Sequence, residues 1–146
     1  MTTVKTTPMM WLPLVIGLML AISACSGLGP TRIETEEVYR KHAGEPIDRI
    51  RYTGFVQDWQ PVGSDAVMLS LARNRYFLLD LGAGCHLEAR SSETLGLETG
   101  VSRQISRFDR IRFRDTSCQI EEIRPVDYQA ARTEIREMQQ EGSPSG

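Results

Sequence analysis

The spacing of apolar residues changes character several times along the chain, and each change marks an element. Residues 9–22 (MMWLPLVIGLMLAI) are almost wholly apolar and follow a short stretch with a single charge, Lys5. This is the layout of a secretory leader, a basic n-region followed by an apolar h-region. A permanent span needs about 20 apolar residues, whereas this run is shorter and is interrupted by Pro13 and Gly17. Removal of residues 1–24 is therefore the expectation. Residues 26–30 (SGLGP) read as a short flexible tether. Over residues 31–42, Ile33, Glu36, Glu37, Val38 and Arg40 give a weak helical period that stops at Gly44 and Pro46, which predicts a short surface helix.

Beyond Pro46 the period is two. Ile50 and Tyr52 alternate with Arg49 and Arg51, as in a half-buried strand running toward Gly54 and continued by Phe55, Val56 and Trp59. Residues 61–65 read as a turn. Two apolar runs, 66–72 and 75–81, are separated only by Arg73-Asn74 and predict a central hairpin. Gly82-Ala83-Gly84 breaks the ladder before Cys85, and Leu87 starts a further short strand. Residues 91–106 are small and polar and read as a loop with short extended pieces. Over 108–114, Ile111 and Phe113 share one face while Arg110, Arg112 and Arg114 share the other. A last strand covers 118–123 and ends at Pro125. Asp127 then caps a helix over 128–140, whose Ala130, Ala131, Glu134, Ile135 and Met138 supply propensity and a narrow apolar face.

Short strands between two terminal helices predict an α+β domain, a small curled antiparallel β-sheet forming a roll or open barrel. The expected organisation is a leader (1–24), a tether with a short helix (25–46), a β-rich domain (47–126) and a C-terminal helix with a frayed tail (127–146). A length of 146 residues fits one domain. With 40% hydrophobic and 25% charged residues, the composition excludes collagen-like, disordered and multi-span membrane proteins. Loss of residues 1–24 removes one lysine and moves the formal charge from −2 to −3, which argues against nucleic acid as a partner.

Ile22-Ser23-Ala24-Cys25 resembles the bacterial lipobox, in which a branched apolar residue and two small residues precede a cysteine. The resemblance implies that the Cys25 thiol takes up a diacylglyceryl group, that the chain is cut before it, and that the protein is held at a membrane through this anchor. Each buried CH₂ contributes about 0.8 kcal/mol, so one chain holds marginally and two or three hold stably. Ser26 stands where an inner-membrane retention signal usually shows aspartate. The resemblance therefore implies the periplasmic side of the outer membrane, with the inner membrane the less favoured destination.

Once Cys25 is assigned to lipid, two of the three cysteines remain, Cys85 and Cys118. Exported to an oxidising compartment, they form a disulfide on this reading, closing a loop worth roughly 3 to 4 kcal/mol. The alternative is a metal site or redox thiol built from Cys85 and His86, although no CxxC or further His/Cys cluster accompanies them.

The segment from Ile50 through Trp59, LLDL at 78–81, Cys85, FDRI at 108–111 and CQIEEI at 118–123 together resemble domain of unknown function family 6491, small exported proteobacterial proteins that commonly carry a signal peptide or lipobox. The likeness covers about residues 47–125. It implies one exported domain with a Cys85–Cys118 bridge, and no activity, ligand or catalytic residue.

The raw material for catalysis is thin. No GxSxG, HExxH, Walker or GxGxxG pattern occurs. His42 falls in the surface helix and His86 adjoins a cysteine. Asp109 is the acid whose strand context demands a partner, and a carboxylate accepting backbone N–H bonds is the favoured reading. Trp59 and Phe55 read as core or edge packing. Arg110, Arg112 and Arg114, with Arg49 and Arg51 if the first strand lies nearby, form a possible anion-binding face, since guanidinium forks bind phosphate and carboxylate bidentately. The bland reading is a solvated face balanced by Asp115, Glu121 and Glu122. The leading expectation is a non-enzymatic envelope lipoprotein, a binding or structural module meeting an envelope protein or an anionic envelope component, with no cofactor and no metal. The competing expectation is a small periplasmic, hydrolase-like enzyme using Asp109 and His86.

Overall fold

Arg73-Asn74 closes the central hairpin because asparagine tolerates the left-handed backbone the turn needs, and Asn74 has φ 58°. The computed structural model describes residues 30–83, 85, 94–113 and 116–141. Its elements in chain order are α1 (Arg32–Lys41), β1 (Arg49–Arg51), β2 (Asp58–Val62), β3 (Ala66–Ala72), β4 (Arg75–Leu81), β5 (Leu95–Glu98), β6 (Gln104–Ser106), β7 (Arg110–Phe113), β8 (Thr116–Val126) and α2 (Tyr128–Glu141). Six strands form a curled sheet in the order β2-β3-β4-β8-β7-β5, and β1 pairs with β6 in a second, two-stranded sheet. All pairings are antiparallel. The fold is α+β, as expected.

Both faces of the large sheet are covered, which explains the unbroken apolar run of β3. Val67, Leu69 and Leu71 face the concave side with Phe77, Leu79, Leu81, Ile111, Phe113, Ile120 and Ile123, and Ile50 and Ile105 of the small sheet close that side. Ala66 and Met68 face the other way with Leu78 and Val126, beneath Val38 and Tyr39 of α1 and Ala131 and Ile135 of α2. Each fully buried aliphatic side chain stabilises the fold by roughly 1.5 to 3 kcal/mol. Strict alternation survives toward the sheet margin, where Arg110 and Arg112 are exposed and Ile111 and Phe113 are buried.

The helices begin where their caps dictate. Thr31 and Glu34 form a capping box, with Glu34 N–H donating to Thr31 Oγ1 at 3.3 Å and Thr31 N–H to Glu34 Oε2 at 2.6 Å. Asp127 Oδ1 accepts the Ala130 N–H at 3.0 Å at the start of α2. Lys41 and His42 reach Glu134 at 2.8 and 2.7 Å, tying the end of α1 to α2. Tyr128 stacks on Tyr76 with ring centroids 4.0 Å apart and on Tyr39 at 6.0 Å. No described helix is long and apolar enough to cross a membrane.

Three sequence expectations need correction. The single strand expected from Ile50 through Trp59 is two strands in two sheets, separated by a turn in which Gly54 has φ 107°. The turn expected over 61–65 begins later: Pro61 and Val62 belong to β2, and Gly63 (φ 63°) starts the turn. Proline is tolerated there because β2 is an edge strand. The last strand is longer than expected and includes Pro125. β7 pairs only with Thr116–Gln119, so the upper part of β8 is covered instead by residues 43–47, with Gly44 N–H on Pro125 O and Ile47 N–H on Ile123 O, both at 2.8 Å. The proline nitrogen faces that irregular segment rather than β4, so its missing donor breaks no ladder bond. The strand expected at Leu87 lies outside the described residues.

Candidate functional site

The end of β4, the start of β8 and the start of β7 converge on an open cleft of about 450 Å³, lined by Arg110, Ser117, Gln119, Glu121, Gly82 and both bridged cysteines among others. Gly82 N–H donates to Gln119 O at 2.9 Å, and Cys85 N–H donates to Gly82 O at 3.0 Å. This turn delivers Cys85 to Cys118 of the neighbouring strand with a Cα–Cα distance of 5.7 Å, and the two are disulfide-bonded. Both cysteines are buried against the concave core. In the bridged form Cys85 offers no free thiol for the metal or redox-thiol alternative.

Arg110 is held across the strand pair, with Nε donating to Ser117 Oγ at 2.8 Å and a terminal nitrogen donating to Ser117 O at 2.9 Å. Ser117 Oγ in turn donates to Glu98 of β5 at 3.2 Å, and Arg112 Nε lies 3.6 Å from Glu98. The two guanidiniums do share the outer face of β7, as the alternation predicts. Arg112 has Glu98 as its acidic partner and Arg110 reaches the same carboxylate only through Ser117; the sequence reading did not single out Glu98. Arg49 and Arg51 belong to β1 in the small sheet, not to a strand beside β7. Arg114 and Asp115 lie outside the described residues.

Asp109 is buried and its carboxylate is engaged on both oxygens. Oδ1 accepts the Gly100 N–H at 2.9 Å, while Oδ2 accepts the Ser106 N–H at 2.7 Å and the Ser106 hydroxyl at 3.0 Å. Its carbonyl accepts the Ile120 N–H at 2.9 Å. One residue thus joins the β5–β6 loop, β6 and β8. A general acid or base must present an oxygen to the reacting group, and these oxygens face the backbone. His86 and Cys25 lie outside the described residues. His42 is half-buried against Glu134, and Lys41 first, then His42, hold the Glu134 carboxyl below its ordinary range. Among the described residues, no group of three His, Cys, Asp or Glu side chains is placed to hold a metal ion.

Two features escaped the sequence reading. Arg40 bridges the layers, 2.9 Å from Glu36, 2.7 Å from Asp80 and 3.6 Å from Asp65. Its partial burial disfavours the charge, but Glu36 and Asp80 outweigh that and hold the guanidinium above its ordinary value. Val101 and Phe108 stand 57% and 71% exposed on adjacent loops, with the Arg107 guanidinium 5.0 Å from the Phe108 ring centre. Alternation assigned Phe108 to a strand, yet β7 starts two residues later. An apolar residue directly before FDRI's buried aspartate carried no periodic signal of exposure.

No curated protein matches the chain, and no solved structure does. The family resemblance read from residues 47–125 extends further in both directions, into the apolar run at residues 9–22 and through α2. Residues 8–142 match the Family of unknown function (DUF6491), and the chain belongs to that family.

Proposed function

We propose that this protein is an envelope lipoprotein, lipid-anchored through Cys25 on the periplasmic side of the outer membrane, whose folded domain is a non-enzymatic binding or structural module for an anionic envelope component. The observation that carries this reading is the buried Cys85–Cys118 bridge. Disulfides persist in oxidising compartments, which supports export, and the bridge uses two of the three cysteines and leaves Cys25 in the Ile22-Ser23-Ala24-Cys25 sequence for lipid. The saturated carboxylate of Asp109 supports a module without acid/base chemistry at that residue. The outward arginines of β7 and β1 suit an anionic ligand.

The test is mass spectrometry of the protein purified from membranes under alkylating, non-reducing conditions. The expected product starts at Cys25, carries acyl chains there, and leaves Cys85 and Cys118 unalkylated. A mature chain that retains Met1 and an unmodified Cys25, or alkylation at both Cys85 and Cys118, refutes the reading. Cys25→Ser is expected to abolish lipidation and processing while leaving the bridge intact.

A further inference from the structure

The small sheet and its flanking loops bring several arginines together on one part of the domain. Residues 48–52 and 99–108 hold four arginines, Arg49, Arg51, Arg103 and Arg107, and one acid, Asp48. All four arginines are exposed. Only Arg107 has an acidic neighbour, Asp48 at 3.9 Å. Arg49, Arg51 and Arg103 form no ion pair among the described residues, in a chain whose formal charge is −2. At the end of α1, Arg40 and Lys41 are both paired with carboxylates.

Backbone pairing brings these residues together. Arg49 pairs opposite Ser106 and Arg51 opposite Gln104. Arg107 N–H bonds Asp48 O at 3.3 Å and Tyr52 N–H bonds Arg103 O at 3.1 Å, so an arginine flanks β6 at each end. Arg103 sits at φ 59°, a left-handed backbone that arginine adopts only under constraint, in a turn closed by Gln104 N–H on Val101 O at 3.2 Å. The β5–β7 register pairs Glu98 with Arg110. The ladder stops there, but Gly100 N–H bonds Asp109 Oδ1 at 2.9 Å, which ties the loop carrying Val101 to the turn carrying Phe108. Two exposed apolar side chains thus stand on the loops that carry Arg103 and Arg107, with the Arg107 guanidinium 5.0 Å from the Phe108 ring centre.

We propose that this pole is a membrane-contact site. Phe108 and Val101 enter the headgroup–acyl boundary of an anionic phospholipid bilayer, while Arg49, Arg51, Arg103 and Arg107 pair with its phosphates. Complementary charge selects the occupant: guanidinium forks match phosphate oxygens, and aromatic and basic residues together suit the interface. Two exposed apolar side chains are too few for the core of a stable protein–protein interface, which buries roughly 800 Å² per partner. A basic patch would add electrostatic attraction to an anchor already held by its acyl chains. The inference rests on the lipoprotein reading for the presence of a membrane, and on this geometry for the residues that touch it.

The experiment uses the full chain as purified from membranes, reconstituted into vesicles of phosphatidylglycerol or of phosphatidylcholine whose acyl chains are brominated. Tryptophan quenching is read for Phe108→Trp and for Ile33→Trp, an exposed apolar site on α1, after subtraction of the signal of the unsubstituted chain. Quenching of the Phe108→Trp indole in phosphatidylglycerol, absent in phosphatidylcholine and for Ile33→Trp, is the expected result. It should vanish near 1 M salt, where the screening length falls to about 3 Å. Replacing Arg103 and Arg107 with glutamine should shift the contact equilibrium by about thirtyfold, the equivalent of about 1 kcal/mol for each basic residue near an anionic surface. Val101→Trp provides a second probe should Phe108→Trp fold poorly. Equal quenching at positions 108 and 33, or none in phosphatidylglycerol, overturns the proposal. Failure of the anchor is read separately, from the mass at Cys25.

Discussion

Replacement of Asp109 by alanine removes the acceptor for three donors at once. The lost bonds are those from Gly100 N–H (2.9 Å), Ser106 N–H (2.7 Å) and the Ser106 hydroxyl (3.0 Å). A hydrogen bond to a charged group contributes about 1.5 to 3 kcal/mol, and an orphaned buried donor costs a similar amount. The three do not contribute equally. Gly100 is exposed and Ser106 half-buried, so water replaces the acceptor readily at the first and incompletely at the second. A total near 3 kcal/mol follows, a large share of the 5 to 15 kcal/mol that a domain of this kind has available. Asp109→Asn keeps one carbonyl oxygen but turns an N–H₂ toward a donor, so it should cost about half as much. In urea unfolding, with a slope between about 1 and 3 kcal/mol per molar, Asp109→Ala should lower the midpoint by roughly 1 to 3 M. Ser106→Ala removes only the hydroxyl bond and should cost about 1 kcal/mol, less than additively with Asp109→Ala because the two share a partner. A change below about 0.5 kcal/mol for Asp109→Ala would refute the clamp. An Asp109→Asn protein as stable as the parent would return Asp109 to the list of candidate reactive groups.

The remaining expectations concern the bridge, one glycine and the helix pair. Opening the Cys85–Cys118 bridge, which spans 33 positions, should cost about 4 kcal/mol on the chain-entropy account; equal urea midpoints for Cys85→Ser/Cys118→Ser and the oxidised parent would contradict it. Gly63→Ala should cost about 2 kcal/mol, because φ is 63° and the new Cβ would stand 1.9 Å from Glu36 Oε2. Adding Glu36→Ala should recover the steric share and leave about 1 kcal/mol from the backbone alone, and a cycle with no coupling would exclude this close approach. Glu134 is held below its ordinary value of 4.5 by Lys41 and then His42, and Glu34 below the same value by the Thr31 backbone and side chain. A carboxyl depressed in the folded state stabilises above its unfolded value, and that contribution is lost as pH falls through the folded value. Thermal stability should therefore decline below about pH 4.5. Glu134→Gln should show a shallower decline, and identical profiles would exclude the contribution.

What could be read from the sequence was what local chemistry decides. Asp127, Arg73-Asn74 and the alternation of Arg110 to Phe113 mark their own cap, turn and faces, and each holds in the structure. Partner choice is not local. Ile50 and Trp59 both carry strand signals, but only the assembled core separates β1 from β2, because Ile50 is buried opposite Ile105 while Trp59 pairs with Leu69. β6 is three residues long, too short for a period. Pro125 ends a strand in most contexts, and it is retained in β8 only because β7 stops short and residues 43–47 take over that edge. The pairing of Arg112 with Glu98 likewise depends on β5 lying beside β7, which no spacing rule reports.

The same two-sided sheet that hides β3 also separates the charges. The helix layer needs its carboxylates: Glu36, Asp65 and Asp80 surround Arg40 at the junction of α1 with the sheet, and Glu134 joins the two helices. These acids are neutralised within the fold, and their removal would loosen the layer. The small sheet has no such internal demand. Ile50 and Ile105, with Ile47, Tyr52 and Val56 packed beside them, hold it to the concave core by apolar burial, and Asp109 ties its loops through backbone donors, so none of these contacts requires Arg49, Arg51 or Arg103 to be charged. Exposed guanidiniums that stabilise neither a helix end nor an ion pair contribute little to stability when surface charges are worth at most about 1 kcal/mol. Their glutamine variants should therefore fold with nearly unchanged urea midpoints. A loss of stability comparable to that of Asp109→Ala would mean that these arginines serve the fold and not a surface outside it.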